Sequence, residues 1–196
     1  MKAFLRTVGA VVLVATAAAA VGLWWISTHR FSAKAAPGRL ETLVALRLRR
    51  LATGGAGGRL RNPVPLTAET LHEGMAHYAD HCAVCHAVDG AGSTDMGQGL
   101  YPKVPDMRLP ATQSLSDGEL FLIIENGVRF TGMPGWSTGS AEGEQDSWRL
   151  VHFIRHLPKL TADDVAHLET LTPKSPQAIR ERIEEEQFLA GTDEKH

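Results

Sequence analysis

Cysteine is almost absent from this chain: 196 residues hold two, Cys82 and Cys85. That number cannot staple a fold together, and a spacing of two residues points to a ligand pair, a redox pair or a covalent attachment rather than a structural disulfide. Strand signals are missing as well. No run alternates polar and apolar residues in pairs that could form a sheet, and no segment repeats, so the expected fold class is all-α with long loops. Acidic residues are missing from the front: residues 1–61 carry ten Lys/Arg against the single acid Glu41, whereas residues 62–196 carry ten against twenty-one. The net charge of −2 hides that split. An acidic second half gives nucleic acid nothing to bind, and no nucleic-acid partner is expected.

What is present begins with an uncharged run from Thr7 to Thr28, preceded by Lys2 and Arg6 and ending near Trp24 and Trp25. It is long enough to cross the ~30 Å hydrocarbon layer, and tryptophan favours the interface. Residues 1–30 therefore read as a membrane anchor. A cleaved signal sequence is the alternative, because Ala17–Ala20 offer small-residue cleavage positions. Eight basic residues between Arg30 and Arg61 outnumber the two before the run, so the positive-inside count taken alone favours the reverse orientation.

Residues 31–61 form a basic linker. Leu40, Val44, Leu48 and Leu51 share one helical stripe, interrupted by Arg47, and such a helix could lie on anionic headgroups or be solvated. Gly54, Gly55, Gly57 and Gly58 then read as a flexible joint that ends the helix, with Pro63 and Pro65 in an extended lead-in. A folded domain is expected over 62–158. Thr67 caps a helix carrying Leu71, Gly74, Met75, Tyr78 and Cys82 at helical spacing. A glycine- and proline-rich loop follows over 89–110. Ser116 and Glu119 make a capping box for the next helix, which Gly127 stops. A polar connector runs to Asp146, the expected cap of a last helix ending before Pro158. Residues 159–196 are a helical, acidic extension with little core.

The two cysteines sit in Cys82-Ala83-Val84-Cys85-His86. A structural zinc site needs four ligands, normally two pairs, and a second Cys-x-x-Cys is lacking. A thioredoxin-like dithiol opens a helix in a β/α pattern, whereas this pair closes one. Cys-x-x-Cys-His is the attachment signature of haem c: two thiols one helical turn apart can reach two vinyl groups on one haem edge, and the histidine lies beside the iron. The iron's other face favours a thioether in an electron-transfer site. The candidates are Met75, Met96, Met107 and Met133, and Met133 stands in the rigid turn Thr131-Gly132-Met133-Pro134-Gly135-Trp136, between two helices. His152 and His156, four apart, read as ordinary helix histidines.

Residues 62–158 resemble the class I mono-haem c-type cytochromes, in which the same order of helix, Cys-x-x-Cys-His, loop, middle helix, methionine turn and terminal helix occurs. The resemblance implies a class I cytochrome c fold in which the first and last helices cross closely, with Gly74 and Tyr78 against the face of Leu150, Phe153 and Trp148. It implies one covalent haem c on Cys82 and Cys85, with His86 and Met133 as axial ligands and the carbonyl of Pro102 or Pro105 orienting His86. It also implies haem attachment outside the inner membrane, hence a single-pass protein with its haem domain in the periplasm, against the charge count. The expected function is one-electron transfer to redox partner proteins bearing a basic docking patch, with no small-molecule substrate. A cytochrome subunit of a larger membrane oxidoreductase is the alternative, followed by a haem sensor or enzyme.

Overall fold

The computed structural model describes residues 1–28, 32–33, 35–174 and 176–189. Residues 29 and 30 of the expected anchor, residues 31 and 34 of the expected basic linker, and residues 175 and 190–196 of the expected extension lie outside the described residues. All regular structure among the described residues is helical, the short α5 (Asp95–Gly99) and α6 (Pro110–Gln113) included. The chain divides into two compact units, residues 1–35 and 36–196. The first is essentially α1 (Lys2–Thr28), the one described helix long and apolar enough to cross a membrane. None of its residues is buried by protein. An apolar helix is stable with its side chains uncovered only when its surroundings are themselves apolar.

The second unit is built around a crossing of α3 (Ala68–His77) and α8 (Ala141–His156). Thr67 caps α3 by accepting from Thr70 N, as its β-region backbone and hydroxyl allow. Gly74 is required at the crossing, because a Cβ there would overlap the Arg149 carbonyl oxygen and lie 3.2 Å from Phe153 Cβ. The glycine costs about 1 kcal/mol of helix propensity and makes the close approach possible. Beside it the Tyr78 and Phe153 rings pack 5.0 Å apart, both fully buried. The lead-in to α3 is held on α8: Asn62 Nδ2 donates to Trp148 O at 2.9 Å, and His152 Nε2 lies 2.8 Å from Val64 O. A carbonyl can only accept, so His152 is the donor, a structural role.

Helix α7 (Asp117–Asn126) packs on α8, with Phe121 stacked on Trp148 at 4.1 Å. Its capping box is the expected one: Ser116 Oγ accepts from Glu119 N, and Ser116 N donates to Glu119 Oε2. Helix α8 starts at Ala141 on a Ser140 cap, earlier than expected. Asp146 is therefore interior and pairs with Arg149 instead of capping. Helix α9 (Ala162–Leu171) is peripheral, yet its fully buried Leu168 joins the core beside α3. Helix α10 (Pro176–Leu189) follows as the charged outer helix.

One expectation fails. Helix α2 (Arg39–Gly57) continues through Gly54 and Gly55 to end at Gly57, inside the segment read as a flexible joint, and it packs on α7. A Cβ on Gly57 would sit 2.9 Å from the Glu119 backbone, and one on Gly118 would overlap the Gly57 carbonyl oxygen. These glycines let two helices touch backbone to backbone; they were legible only as breakers because the partner surface is sixty residues away. The leucine stripe of α2 faces elsewhere. Leu40, Leu43, Val44, Leu48 and Leu51 are exposed, although each helical turn of such side chains would ordinarily seek cover.

A candidate haem site

Between α3 and α4 the helix bulges. Tyr78–Cys82 is a π-helical turn, and α4 (Ala83–His86) completes the segment that carries both cysteines and the histidine. Single π turns are frequent at functional sites because the inserted residue re-aims the side chains that follow. The carbonyls at the end of this helix are taken up by side-chain and loop donors. Thr94 Oγ1 donates to Cys85 O at 3.1 Å, Gly92 N to His86 O at 2.8 Å, and Tyr78 OH to Ala87 O at 2.7 Å. Ala87 is held at φ 62°, a positive angle rarely adopted by alanine. Across the loop, Arg108 clasps Asp89 and Asp106, each at 2.7 Å. Hydrogen bonding to Arg108 holds the Asp106 carboxyl below its ordinary pKa.

The methionine turn is built just as firmly. Thr131 Oγ1 donates to Val128 O at 2.7 Å and accepts from Met133 N at 3.1 Å, while Val128 N donates to Met133 O at 3.2 Å. Trp136 N donates to Ile124 O, tying the turn back to α7. Gly127, at φ 65°, has no room for a side chain, since a Cβ would lie 2.5 Å from Pro134.

These two constructions face one cavity of about 260 Å³. Cys82, Cys85, His86 and Met133 all line it, 51 residues apart in sequence at the widest, among mainly aliphatic neighbours such as Leu100, Leu120, Ile124 and Ile154. Met107 lines it too, from the loop that leaves His86. Met75 is buried in the helix core and Met96 is exposed, so neither belongs to the cavity. His81 lines it with its ring edge-on to Trp136 at 5.1 Å. Pro102 and Pro105 both reach the wall, yet His86 Nδ1 is buried without a hydrogen-bond partner.

Burial sets the protonation of these groups. It pushes His86 down to about 4, so the imidazole is neutral near pH 7 and a ring nitrogen lone pair is available to a metal. It raises the Cys82 thiol to about 12, with Cys85 adding to the effect, and raises Cys85 as well. A redox dithiol needs a lowered thiolate pKa. This pair has the opposite environment. Two partly buried thiols, a neutral orphaned imidazole and a thioether around an apolar cavity fit a covalently attached metal macrocycle.

Residues 69–154 match the family model of cytochrome c oxidase, cbb3-type, subunit III. These residues form a cytochrome c domain. Its cofactor is haem c. Among solved structures, a chain of the Kuenenia stuttgartiensis reducing HAO-like protein complex is similar at 22% identity and a TM-score of 0.42, over 50% of this chain. The match spans about half, 49%, of that solved chain. Comparison with curated proteins gives no match. Within the cytochrome c domain the motif residues were legible in the sequence. The supports Tyr78 OH, Thr94 and the Arg108 clasp were not, because their partners are single backbone atoms or lone aspartates that leave no pattern. Arg49, which also lines the cavity, lies outside the matched residues altogether.

Proposed function

We propose that the chain is a one-electron carrier tethered to the inner membrane, with its cytochrome c domain in the periplasm. In this reading Cys82 and Cys85 hold haem c as thioethers, and His86 and Met133 are the axial ligands. When bound, haem c supplies a one-electron ferric/ferrous couple. The observation that carries the reading is the convergence of Cys82, Cys85, His86 and Met133 on one apolar cavity. His86 contributes a neutral nitrogen and Met133 a sulfur from a pre-formed turn, so neither has to move when charge changes. The aliphatic wall keeps water out, which limits solvent reorganisation.

Helix α1 supports the tether, and the exposed leucines of α2, flanked by Arg39, Arg47 and Arg50, suit an anionic headgroup layer. The acidic charge of the domain, five Lys/Arg against twelve Asp/Glu over residues 62–158, favours redox partners with a basic docking patch. A second reading, a cytochrome subunit of a larger membrane oxidoreductase, is supported by the matched family, itself a subunit of an oxidase.

The optical spectrum of the oxidised, haem-loaded protein tests the ligand pair. The weak near-infrared sulfur-to-iron band is expected in the wild type and in Met107→Leu, and is lost in Met133→Leu. Loss in Met107→Leu with retention in Met133→Leu would reassign the ligand. Rapid carbon monoxide binding to the reduced wild type at neutral pH would favour a sensor or enzyme instead.

A further inference from the structure

Helix α2 is fixed beside the cavity at both of its ends. Near its start Glu41 accepts from Tyr101 OH, in the loop that brings Pro102 and Pro105 to the cavity wall. At its end Gly57 lies against Gly118 and Glu119, and Ser116 Oγ reaches Gly57 O at 3.5 Å. Between these points Arg49 turns from the packed face of the helix into the cavity. Its Nε is buried without a hydrogen-bond partner, and no ion pair to its guanidinium is found among the described residues. The nearby carboxylate that acts on it, Glu119, is committed to Ser116 N at 2.7 Å. The neighbouring cation Arg50 opposes its charge, and burial opposes it more. A guanidinium stays protonated under such pressure, so the site holds a fixed positive charge that lacks its counter-ion. An unpaired charge among aliphatic side chains is costly. Lys103 also lines the cavity, but its ammonium donates to Gln98 O.

We infer that Arg49 is the partner of a haem propionate, supplied to the cytochrome c domain by a helix outside its matched residues. The proposal rests on the haem c reading above. The haem periphery carries two carboxylates, a planar guanidinium binds a carboxylate through two parallel N–H groups, and Arg49 is a half-buried cation at the wall whose buried Nε lacks an acceptor. The chain residues that would hold the cofactor then include the supposed linker. The charge of Arg49 also works against ferric iron and raises the reduction potential.

The test uses the full-length, haem-loaded protein and three variants: Arg49→Gln, Arg49→Lys and Lys103→Gln. Arg49→Gln is expected to raise the ferric-to-ferrous ratio at fixed ambient potential by roughly three- to tenfold, about 30–60 mV at 59 mV per decade. It should also shift the propionate bending band in the resonance Raman spectrum, which a merely structural role would not move. Arg49→Lys should restore most of the potential while leaving the band shifted, since an ammonium keeps the charge but not the fork. An Arg49→Gln protein with wild-type potential and band overturns the inference, as does a band that responds to Lys103→Gln and not to Arg49. If Arg49→Gln does not accumulate, a wild-type propionate band in Arg49→Lys overturns it. Absence of covalent haem from the wild type, read by its alkaline pyridine spectrum, would instead remove the underlying haem reading.

Discussion

Tyr78 shows how much of the site depends on groups that chemistry does not advertise. Its ring fills the helix crossing, as the resemblance to class I cytochromes implied, but its hydroxyl reaches past the motif to Ala87 O at 2.7 Å. Burial pushes the phenol pKa upward, so it stays a donor throughout the working pH range. Tyr78→Phe keeps the ring and leaves the Ala87 carbonyl with only the longer 3.2 Å bond from Gly90 N, next to a positive φ. A loss of about 1–2 kcal/mol is expected, read as a lower thermal midpoint of the haem-loaded protein, with the ring packing unaffected. An unchanged midpoint would show that the bond does not brace the motif. The four motif residues were legible because Cys-x-x-Cys-His and a glycine-flanked methionine are local patterns. The bonds that hold them were not, because a hydroxyl donating to a carbonyl nine residues on carries no sequence mark.

Helix α2 is where local reading and tertiary structure part company. Glycines ordinarily weaken a helix by about 1 kcal/mol each, α2 holds Gly54, Gly55 and Gly57 in its last turn, and the natural expectation is an earlier break. The helix persists because α7 rewards it: Gly57 and Gly118 let the two backbones meet. The same geometry separates glycines that matter from one that does not. Gly118→Ala should push α2 off α7, costing about 1–3 kcal/mol through overpacking, and should strip hydrogen-exchange protection from residues 39–57. Gly55→Ala meets nothing within 4 Å and should be neutral or stabilising. Equal tolerance of both substitutions would return the segment to a flexible joint. Helix α8 tells a similar story on a smaller scale. Ser140 and Asp146 are both acceptable caps by residue type, and the chain uses the earlier one because Asp146 is engaged with Arg149.

At the scale of the whole molecule the charge split is the leading feature: basic before residue 62, acidic after it. An acidic carrier meeting a basic partner is steered by long-range attraction that salt screens. Its reduction by a purified partner should slow as ionic strength rises from 10 to 500 mM, by roughly an order of magnitude or more; a flat profile would exclude the basic patch. Topology has its own check. In spheroplasts, added protease is expected to digest the cytochrome c domain while the inner membrane stays sealed, and a protected domain would place it in the cytoplasm. The salt result concerns partners and the protease result concerns orientation, so either can fail without the other.

The sequence by itself determined the helical class, the apolar N-terminal segment and the Cys-x-x-Cys-His motif, because each is encoded in local spacing and composition. Tertiary structure decided which side chains share the cavity. It brought Met133 and Met107 to the wall and left Met75 and Met96 elsewhere. It also turned a glycine-rich linker into a packed helix and set Arg49 beside the cofactor site. Those outcomes depend on contacts between residues far apart in the chain, whose energies belong to no local segment.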